Sequence, residues 1–509
     1  MKSALTTGKR QEDYQKRLRR RKLKAFNEYG TLKFSNSITL GLTLVLLVCA
    51  KPWSESRSLP MMIFAGIFLL SAVIGLLLSL ALQRQILGDG AIHTGTRLCG
   101  ILLIPFFLCG NIFATIAGLY LINRKRTIEY EIGVYMLITD IAIILISLLN
   151  LFKDYVVYTF YPAIAVLAVL TIFHAVILAL LPSSINGNYV SKPTYALSFP
   201  LIVTVLTGNL FALLLSVIVI SKYRRKDKEI SIEWVNTLQR LFKSNMAVLG
   251  MFVVAFLIML AICCNFTFDY SVAVNNNYSA LLQTPCLKYP FGTDNYGCCQ
   301  FTRIVFGTRI SLVVGLIVTA VPMLFGGALG ALAGFYSGKI DNIIMRLLDI
   351  IYAVPDMLLA IAIMASLGAS TQNLILALSL GSISAYARTV RATVISVSNS
   401  EYVEAARACG ARDGRIILKH IIPNSLAPII VRATMSIGTA VLSTSSLSYL
   451  GLGVEPHVPE WGNVLRAGST YLESYPHMAI FPGLAIMLLV LAFNFFGDGL
   501  RDALDPKMK

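Results

Sequence analysis

Acidic residues are scarce in this 509-residue chain, and so is charge of any kind: Asp and Glu number 26, and all charged residues together make up 14%. So little charge excludes a disordered chain. With 56% hydrophobic residues and a mean hydropathy of +0.72, it excludes an ordinary soluble domain as well. Histidine is also rare: His93, His174, His420, His457 and His477 are scattered, with no His-Glu-x-x-His or Cys-x-x-Cys frame, so no metal site of ordinary spacing is expected. A Gly-x-x-x-x-Gly-Lys-Ser/Thr loop is missing too, because the run from Gly334 to Lys339 ends in Gly-Lys without the required spacing or a following hydroxyl. Neither catalysis nor a bound cofactor is expected of this chain.

Basic residues are present in number, 43 in all, giving a formal charge of +17, and they lie in short runs between apolar stretches. Residues 1–33 carry eleven Lys or Arg, including Arg19, Arg20, Arg21 and Lys22, against three acids. This run is too long for a signal peptide and reads as a cytoplasmic anchor drawn to anionic membrane lipid, not as a nucleic-acid site.

About 20 apolar residues at a rise of about 1.5 Å cross the hydrocarbon core. On that measure the sequence offers about twelve spans, near 36–53, 60–82, 98–122, 132–152, 156–181, 196–220, 245–264, 311–335, 348–367, 371–390, 425–450 and 477–496. The expected fold is all-α, a polytopic transmembrane bundle with both termini cytoplasmic. Loop charges agree in the second half. Lys222 to Lys228, the 391–424 loop and the C-terminus are basic, whereas 265–300 and 451–476 hold only Lys288 and Arg466. In the first half Arg124, Lys125 and Arg126 fall on the outer side, which points to a re-entrant or miscounted segment.

The polar stretch 221–243 divides the chain into 1–240, with six spans of unassigned role, and 241–509, with the other six. Within 231–244, Ile232, Val235, Leu238, Leu241 and Phe242 recur at helical spacing, as in a helix lying in the interface with Trp234 near the headgroups. Gly326, Gly330 and Gly334 clear one helix face for close packing, and Pro322 and Pro355 are candidate kinks.

The 398–424 loop has room for two short helices. Ser398 and Glu401 form a capping-box pattern, Tyr402, Ala405, Ala406 and Cys409 share a face, Gly410 stops the first helix, and a second from Arg412 ends at Pro423. The run Glu404, Ala405, Ala406, then Gly410, Ile422 and Pro423 resembles the EAA loop of ABC importer permeases. More widely, 240–509 resembles the second-subunit permeases of the dipeptide/oligopeptide/nickel family. The supporting strings are Phe291 to Asp294, Thr308 to Leu312, Asp341 to Arg346, Glu401 to Arg407, Tyr449 to Gly453 and Gly497 to Asp502.

The resemblance implies a type I permease fold in the C-terminal half and import of peptides driven by ATP. ATP and Mg would be held by a separate ATPase. The implied partners are a second permease subunit, two cytoplasmic ATPase subunits and an extracytoplasmic substrate-binding protein. In such a subunit Glu404 and Arg407 dock polar groups, Ala405 and Ala406 allow close approach, and Gly410 and Pro423 shape the lever. A membrane scaffold or sensor, and a secondary transporter, are the rival readings.

After Phe291 to Asp294 the family continues Gly-Arg-Asp, where this chain has Gly297, Cys298 and Cys299. On an oxidising outer side, Cys286 either bridges to Cys298 or Cys299 or all three stay free thiols. Carboxylates inside a membrane need partners. Asp140 and Asn209 are candidates for such pairing, and Asp349 and Asp356, seven apart on one expected helix face near Arg346, are candidates for a structural ion pair or gate.

Overall fold

The computed structural model describes residues 23, 26–50, 59–122, 127–153, 156–186, 189–225 and 233–505. The helices in chain order begin with α1 (Asn27–Ala50), α2 (Leu59–Gly88), α3 (Thr94–Leu98, continued as a tighter helix over Cys99–Cys109), α4 (Ile112–Ile122) and α5 (Ile128–Leu148). Then come α6 (Phe160–Ser184), a two-stranded antiparallel ribbon pairing Ile185–Asn186 with Tyr189–Val190, α7 (Lys192–Thr204), α8 (Leu210–Arg224) and α9 (Glu233–Lys243). The remainder are α10 (Asn245–Thr267), α11 (Gln300–Tyr336), α12 (Gly338–Tyr352), α13 (Asp356–Leu367), α14 (Thr371–Ser398), α15 (Glu401–Ala408), α16 (Ile422–Leu450), α17 (Trp461–Ser469) and α18 (His477–Leu504).

The chain forms two compact units, Met1–Ile138 with His174–Thr194, and Thr139–Phe173 with Tyr195–Lys509. Two of the expected spans, 98–122 and 196–220, are hairpins of two short helices and not single crossings. Among the described residues eight helices are long and apolar enough to cross a membrane, or nine if α12 and α13 make one broken span. α14 is 28 residues long and carries Arg388 and Arg391 in its C-terminal half.

In the first unit, Leu32, Leu82, Ile86, Leu103 and Leu121 form the apolar core. The expected span 98–122 is a hairpin. Gly110 turns the chain with φ +81, and the two arms then run antiparallel. Arg97 Nη1 donates to Leu121 O at 3.4 Å, and a Cβ on Gly100 would sit 2.7 Å from Gly118 O. Asn111 caps α4 by accepting from Ala114 N at 3.1 Å, while its Nδ2 donates to Ser71 Oγ at 2.7 Å. The basic run Arg124, Lys125 and Arg126 lies outside the described residues.

In the second unit the expected span 196–220 is likewise a hairpin. It turns at Gly208 (φ +89), and Tyr195 and Tyr223 stack across it with ring centroids 3.9 Å apart. Asn209, the N-cap of α8, donates from Nδ2 to Asp140 Oδ1 at 2.8 Å, so these two intramembrane polar groups satisfy one another.

The longest helix, α11, is unbroken at Pro322 and packs on α14 along the glycine stripe. A Cβ on Gly326 would meet Ile383 O at 2.5 Å and one on Gly334 would meet Arg391 O at 2.8 Å, with Gly330 against Ala387 O between them. Contacts spaced by four on both helices are what a small-residue interface requires. Pro355 does break its segment, since it caps α13 and the chain bends by 74° between α12 and α13.

α9 matches the expected amphipathic stretch. Val235 and Leu241 are buried and Trp234 is 37% exposed, with Leu241 seated against the Gly499 face of α18.

Candidate functional site

The 398–424 loop folds differently from its expected pair of helices. Ser398 ends α14 and donates to Ile395 O at 3.0 Å, so it is no capping-box residue; Ser400 precedes α15 with extended backbone and no side-chain cap bond. α15 turns Val403 inward, fully buried among Val390, Val394, Ile416 and Ile421, with Ala406 packed beside it. Tyr402 and Ala405 are exposed, so the buried face is rotated from the expected one.

The end of α15 is a Schellman motif. Gly410 N donates to Arg407 O at 2.9 Å and Ala411 N to Ala406 O at 3.1 Å. Gly410 holds φ +78, a conformation that an L side chain adopts only with strain.

Beyond it, Asp413–Ile416 is a single turn, Ile417–Ile421 a wider π turn, and α16 follows directly. Pro423 therefore ends nothing. It sits in the first turn of α16, where its missing N–H costs little, and the backbone runs helical from Asp413 to Leu450. The result is a short helix clamped at one end by buried valine and joined through a π turn to a long span. Glu404 and Ala405 are exposed on its free face, and the Arg407 guanidinium lies over the Phe335 ring at 5.4 Å.

The structure separates the residues expected to form a gate. Asp349 lies on α12 and Asp356 opens α13 across the 74° bend, so they share no helix face. Asp349 Oδ1 accepts from Arg388 Nη2 at 2.6 Å, making Arg388 its partner in place of Arg346, and the same guanidinium covers the Tyr352 ring at 4.0 Å. Asp356 instead lies beside Gly381.

A stronger pair escaped the sequence reading. Arg391 binds Asp341 with Nε at 2.6 Å and Nη2 at 2.5 Å, a bidentate clamp one turn from Val394 and the buried face of α15.

The loop between α10 and α11 is built on the Phe291 to Asp294 string. Thr293 Oγ1 donates to Ala280 O at 2.5 Å and accepts from Gln283 N at 2.8 Å. Asp294 is wholly buried, accepting from Cys298 N at 2.8 Å and Tyr296 N at 2.9 Å through Oδ1 and from the Arg303 guanidinium through Oδ2.

The bridge weighed for Cys286 with Cys298 or Cys299 is not formed. All three are free thiols: Cys286 Sγ accepts from Tyr289 N at 3.4 Å, Cys298 Sγ donates to Asn275 O at 3.4 Å, and Cys299 is buried beneath. Burial pushes the Cys298 thiol up to about 11, so it is the unreactive protonated form near neutral pH.

Glu460 is a second residue that spacing alone did not mark. It is completely buried and caps α17, accepting from Gly462 N at 2.7 Å and Asn463 N at 3.3 Å through Oε2. Its Oε1 accepts from Ser445 Oγ of α16 at 2.8 Å and Ser311 Oγ of α11 at 3.3 Å, so one carboxyl joins three helices. Burial raises its pKa, and the Ser445, Ser448, Gly462 and Asn463 hydrogen bonds oppose that rise. The available signal was an acid immediately before a short amphipathic helix; Glu is not among the preferred cap residues, so the pattern did not stand out. Among the described residues no group of three His, Cys, Asp or Glu side chains is placed to hold a metal ion.

These features define a multi-pass membrane protein that presents a short, rigidly capped helix outside its spans. Residues 326–509 match the family model described as binding-protein-dependent transport system inner membrane component, and residues 233–285 match the N-terminal TM domain of oligopeptide transport permease C. The chain is similar to the dipeptide transport system permease protein DppC of Alkalihalophilus pseudofirmus, at 46% identity over 276 residues covering 54% of this chain and 90% of that one. It is also similar to the glutathione transport system permease protein GsiD of Pectobacterium atrosepticum, at 42% identity over 284 residues, 56% of this chain and 94% of that one. A solved inward-facing MetNI methionine ABC transporter aligns at 19% identity with a TM-score of 0.34, covering 40% of this chain and 96% of that one.

The chain belongs to the ABC importer permeases, the inner membrane components of binding-protein-dependent transport systems, in the branch of oligopeptide permease C. It is a transmembrane permease subunit and not itself the catalytic one. Residues 1–232 lie outside both family matches.

Proposed function

We propose that this chain forms half of a peptide translocation pathway and is driven by a separate ATPase through α15. The observation that carries this reading is the fold of 398–424 inside the matched range 326–509: an exposed Glu404 and Ala405 on a helix whose buried Val403 face and Schellman end make it rigid. A rigid helix continuous with a span transmits rigid-body motion, where a pliant loop would absorb it. Peptides are the substrate class because the relatives at 46% and 42% identity are named for dipeptide and glutathione transport. The partners on this reading are a second permease, two cytoplasmic ATPase subunits that hold ATP and Mg, and an extracytoplasmic binding protein.

The two hairpins support an orientation with both termini and α15 cytoplasmic. A hairpin that turns at Gly110 or Gly208 returns the chain to the side from which it entered. Removing those two crossings keeps the count before α9 even, and the chain leaving Ile122 then stands on the side it had at Thr94. The basic run after Ile122 thereby moves to the inner side and the exception to the positive-inside rule disappears.

The test is ATP-dependent peptide uptake by the assembled importer carrying Glu404→Lys or Gly410→Pro. Both variants are expected to abolish uptake at unchanged membrane abundance, because a reversed charge blocks docking and proline cannot adopt φ +78. Uptake at the wild-type rate in both would remove the coupling assignment.

A further inference from the structure

At the end of the second unit that carries the 398–424 loop, α9, the start of α16 and the end of α18 enclose a cleft of about 1090 Å³. Among the described residues three arginines line it, Arg240 from α9, Arg432 from α16 and Arg501 from α18, against a single acidic residue, Asp505. Among the described residues none of the three guanidiniums has a carboxylate within salt-bridge distance. This contrasts with Arg388 and Arg391, which are each paired on the neighbouring helices. Three cations from three separate elements converging on one space leave a deficit of negative charge that a bound anion relieves.

We propose that this cleft binds the phosphodiester headgroup of an anionic phospholipid from the inner leaflet. Two observations choose lipid over a dissolved anion. The first is depth: α9 lies with Val235 and Leu241 buried and Trp234 exposed, the pattern of a helix at the interface, and Arg240 is on it. The second is the lining, where Val431, Met435 and Leu504 stand among the arginines. A free phosphate has no use for that apolar wall, whereas the first methylenes of an acyl chain do. Basic pockets between helices on the cytoplasmic side are suited to such headgroups, and the planar guanidinium fork matches two phosphate oxygens at once.

The occupied cleft holds α9 to the roots of α16 and α18, and α16 is continuous with the loop that carries α15. The lipid therefore bears on the base of the same lever, although its binding does not depend on that lever being coupled to an ATPase.

The test is native mass spectrometry of the full chain, with the subunits that co-purify, released from nanodiscs of equal phosphatidylglycerol and phosphatidylcholine. Wild type is expected to retain phosphatidylglycerol over phosphatidylcholine. The combined R240Q, R432Q and R501Q variant is expected to lose that preference by about tenfold or more, given the contribution of each cation near an anionic surface. The combined R240K, R432K and R501K variant keeps the charge and guards against misfolding; it is expected to retain a preference between the two. R415Q, an exposed arginine outside the cleft, is expected to leave the preference unchanged. Equal retention of the two lipids by wild type, or an unchanged preference in the triple Gln variant, overturns the proposal. Displacement of the lipid by excess inorganic phosphate would make this a free-anion site and overturn the lipid source, while leaving the coupling role of α15 untouched.

Discussion

Arg391 grips Asp341 with both arms of its guanidinium, at 2.6 and 2.5 Å, and so ties the first turn of α12 to the C-terminal half of α14. The same turn of α14 presents Val390 and Val394 to α15 and its backbone to the glycine face of α11. One pair thus fixes the platform on which α15 rests.

Because the pair acts through geometry as well as charge, Arg391→Lys is expected to behave like a loss of contact. The Arg391 side chain is 33% exposed, so solvent screening limits the effect. In a double-mutant cycle with Asp341→Asn, read by thermal unfolding of the purified protein, the coupling energy is expected at roughly 0.5–1 kcal/mol. Strictly additive losses would show that the clamp contributes nothing.

Neighbouring glycines of α11 are expected to respond oppositely to the same substitution. A Cβ on Gly330 points into Ala387 O, a backbone atom that cannot move aside without shifting α14. Gly330→Ala should therefore destabilise by about 1–3 kcal/mol. Gly327 has nothing within 4 Å of its Cβ position, and Gly327→Ala should be neutral or stabilising by up to about 1 kcal/mol through helix propensity. Equal melting temperatures for the two variants would contradict the packing.

Period and composition carried most of this architecture in the sequence, since the bilayer forces spans to be helical and apolar. The glycine stripe and the α9 amphipathic face were readable because each is a local pattern with one physical use, whereas the Phe291 to Asp294 string was marked only by its resemblance to the family. What hydropathy could not separate was a span from a hairpin of two short apolar helices. Only Gly110 and Gly208 mark those turns, and both lie inside otherwise continuous hydrophobic runs. Asp341 with Arg391 and Asp349 with Arg388 were not legible because their partners are 50 and 39 residues apart, and pairing by proximity chose Arg346 instead. In the 398–424 loop the position of the helix was clear, yet its buried side was not: an eight-residue segment holds too few apolar residues to fix a face.

Glu460 should give the end of the fold that carries α17 a pH dependence of definite sign. Its folded pKa is raised above the ordinary glutamate range by burial, so the native state holds the proton more tightly than the unfolded chain does. The stability it contributes is fully present below the unfolded pKa and is lost as pH rises through the raised value. Glu460→Gln, which cannot ionise, is expected to flatten the melting temperature against pH from about 4.5 upward. Glu460→Ala leaves the Ser445 hydroxyl and the first amides of α17 without their acceptor and should cost about 1–3 kcal/mol at pH values below the unfolded pKa, the cost shrinking as pH rises through the raised value. An unaltered pH profile in the Gln variant would show that Glu460 does not titrate in this range.

Residues 139–173 belong to the same compact unit as the permease half, and among the described residues the polar contacts they make with 241–509 cluster where α10 ends and α11 begins. Asn150 Nδ2 donates to Thr267 O and Thr159 Oγ1 to Phe266 O, both at 2.9 Å, satisfying carbonyls that α10 leaves open at its C-terminus. Lys153 Nζ donates to the buried Thr302 hydroxyl at 2.7 Å, and burial holds its pKa below the ordinary lysine value. Between these helices and α10 the rest of the contact is apolar, with Ile143 and Leu167 packed among Val254, Leu257 and Leu260. In lipid that apolar contact is weakly held, because acyl chains replace it at little cost. Removing residues 1–232 is therefore expected to leave a permease half that still inserts, with the loss confined to the C-terminal end of α10. Amide hydrogen exchange should rise around 266–268 and 299–303 while α11 and α14 keep their protection. Asn150→Ala and Thr159→Ala in the full chain should reproduce part of that rise, each at about 0.5–1.5 kcal/mol. Unchanged exchange at 266–268 in the shortened chain would mean that the N-terminal helices do not brace this face. A general loss of protection across α11 and α14 would mean that they support the whole fold.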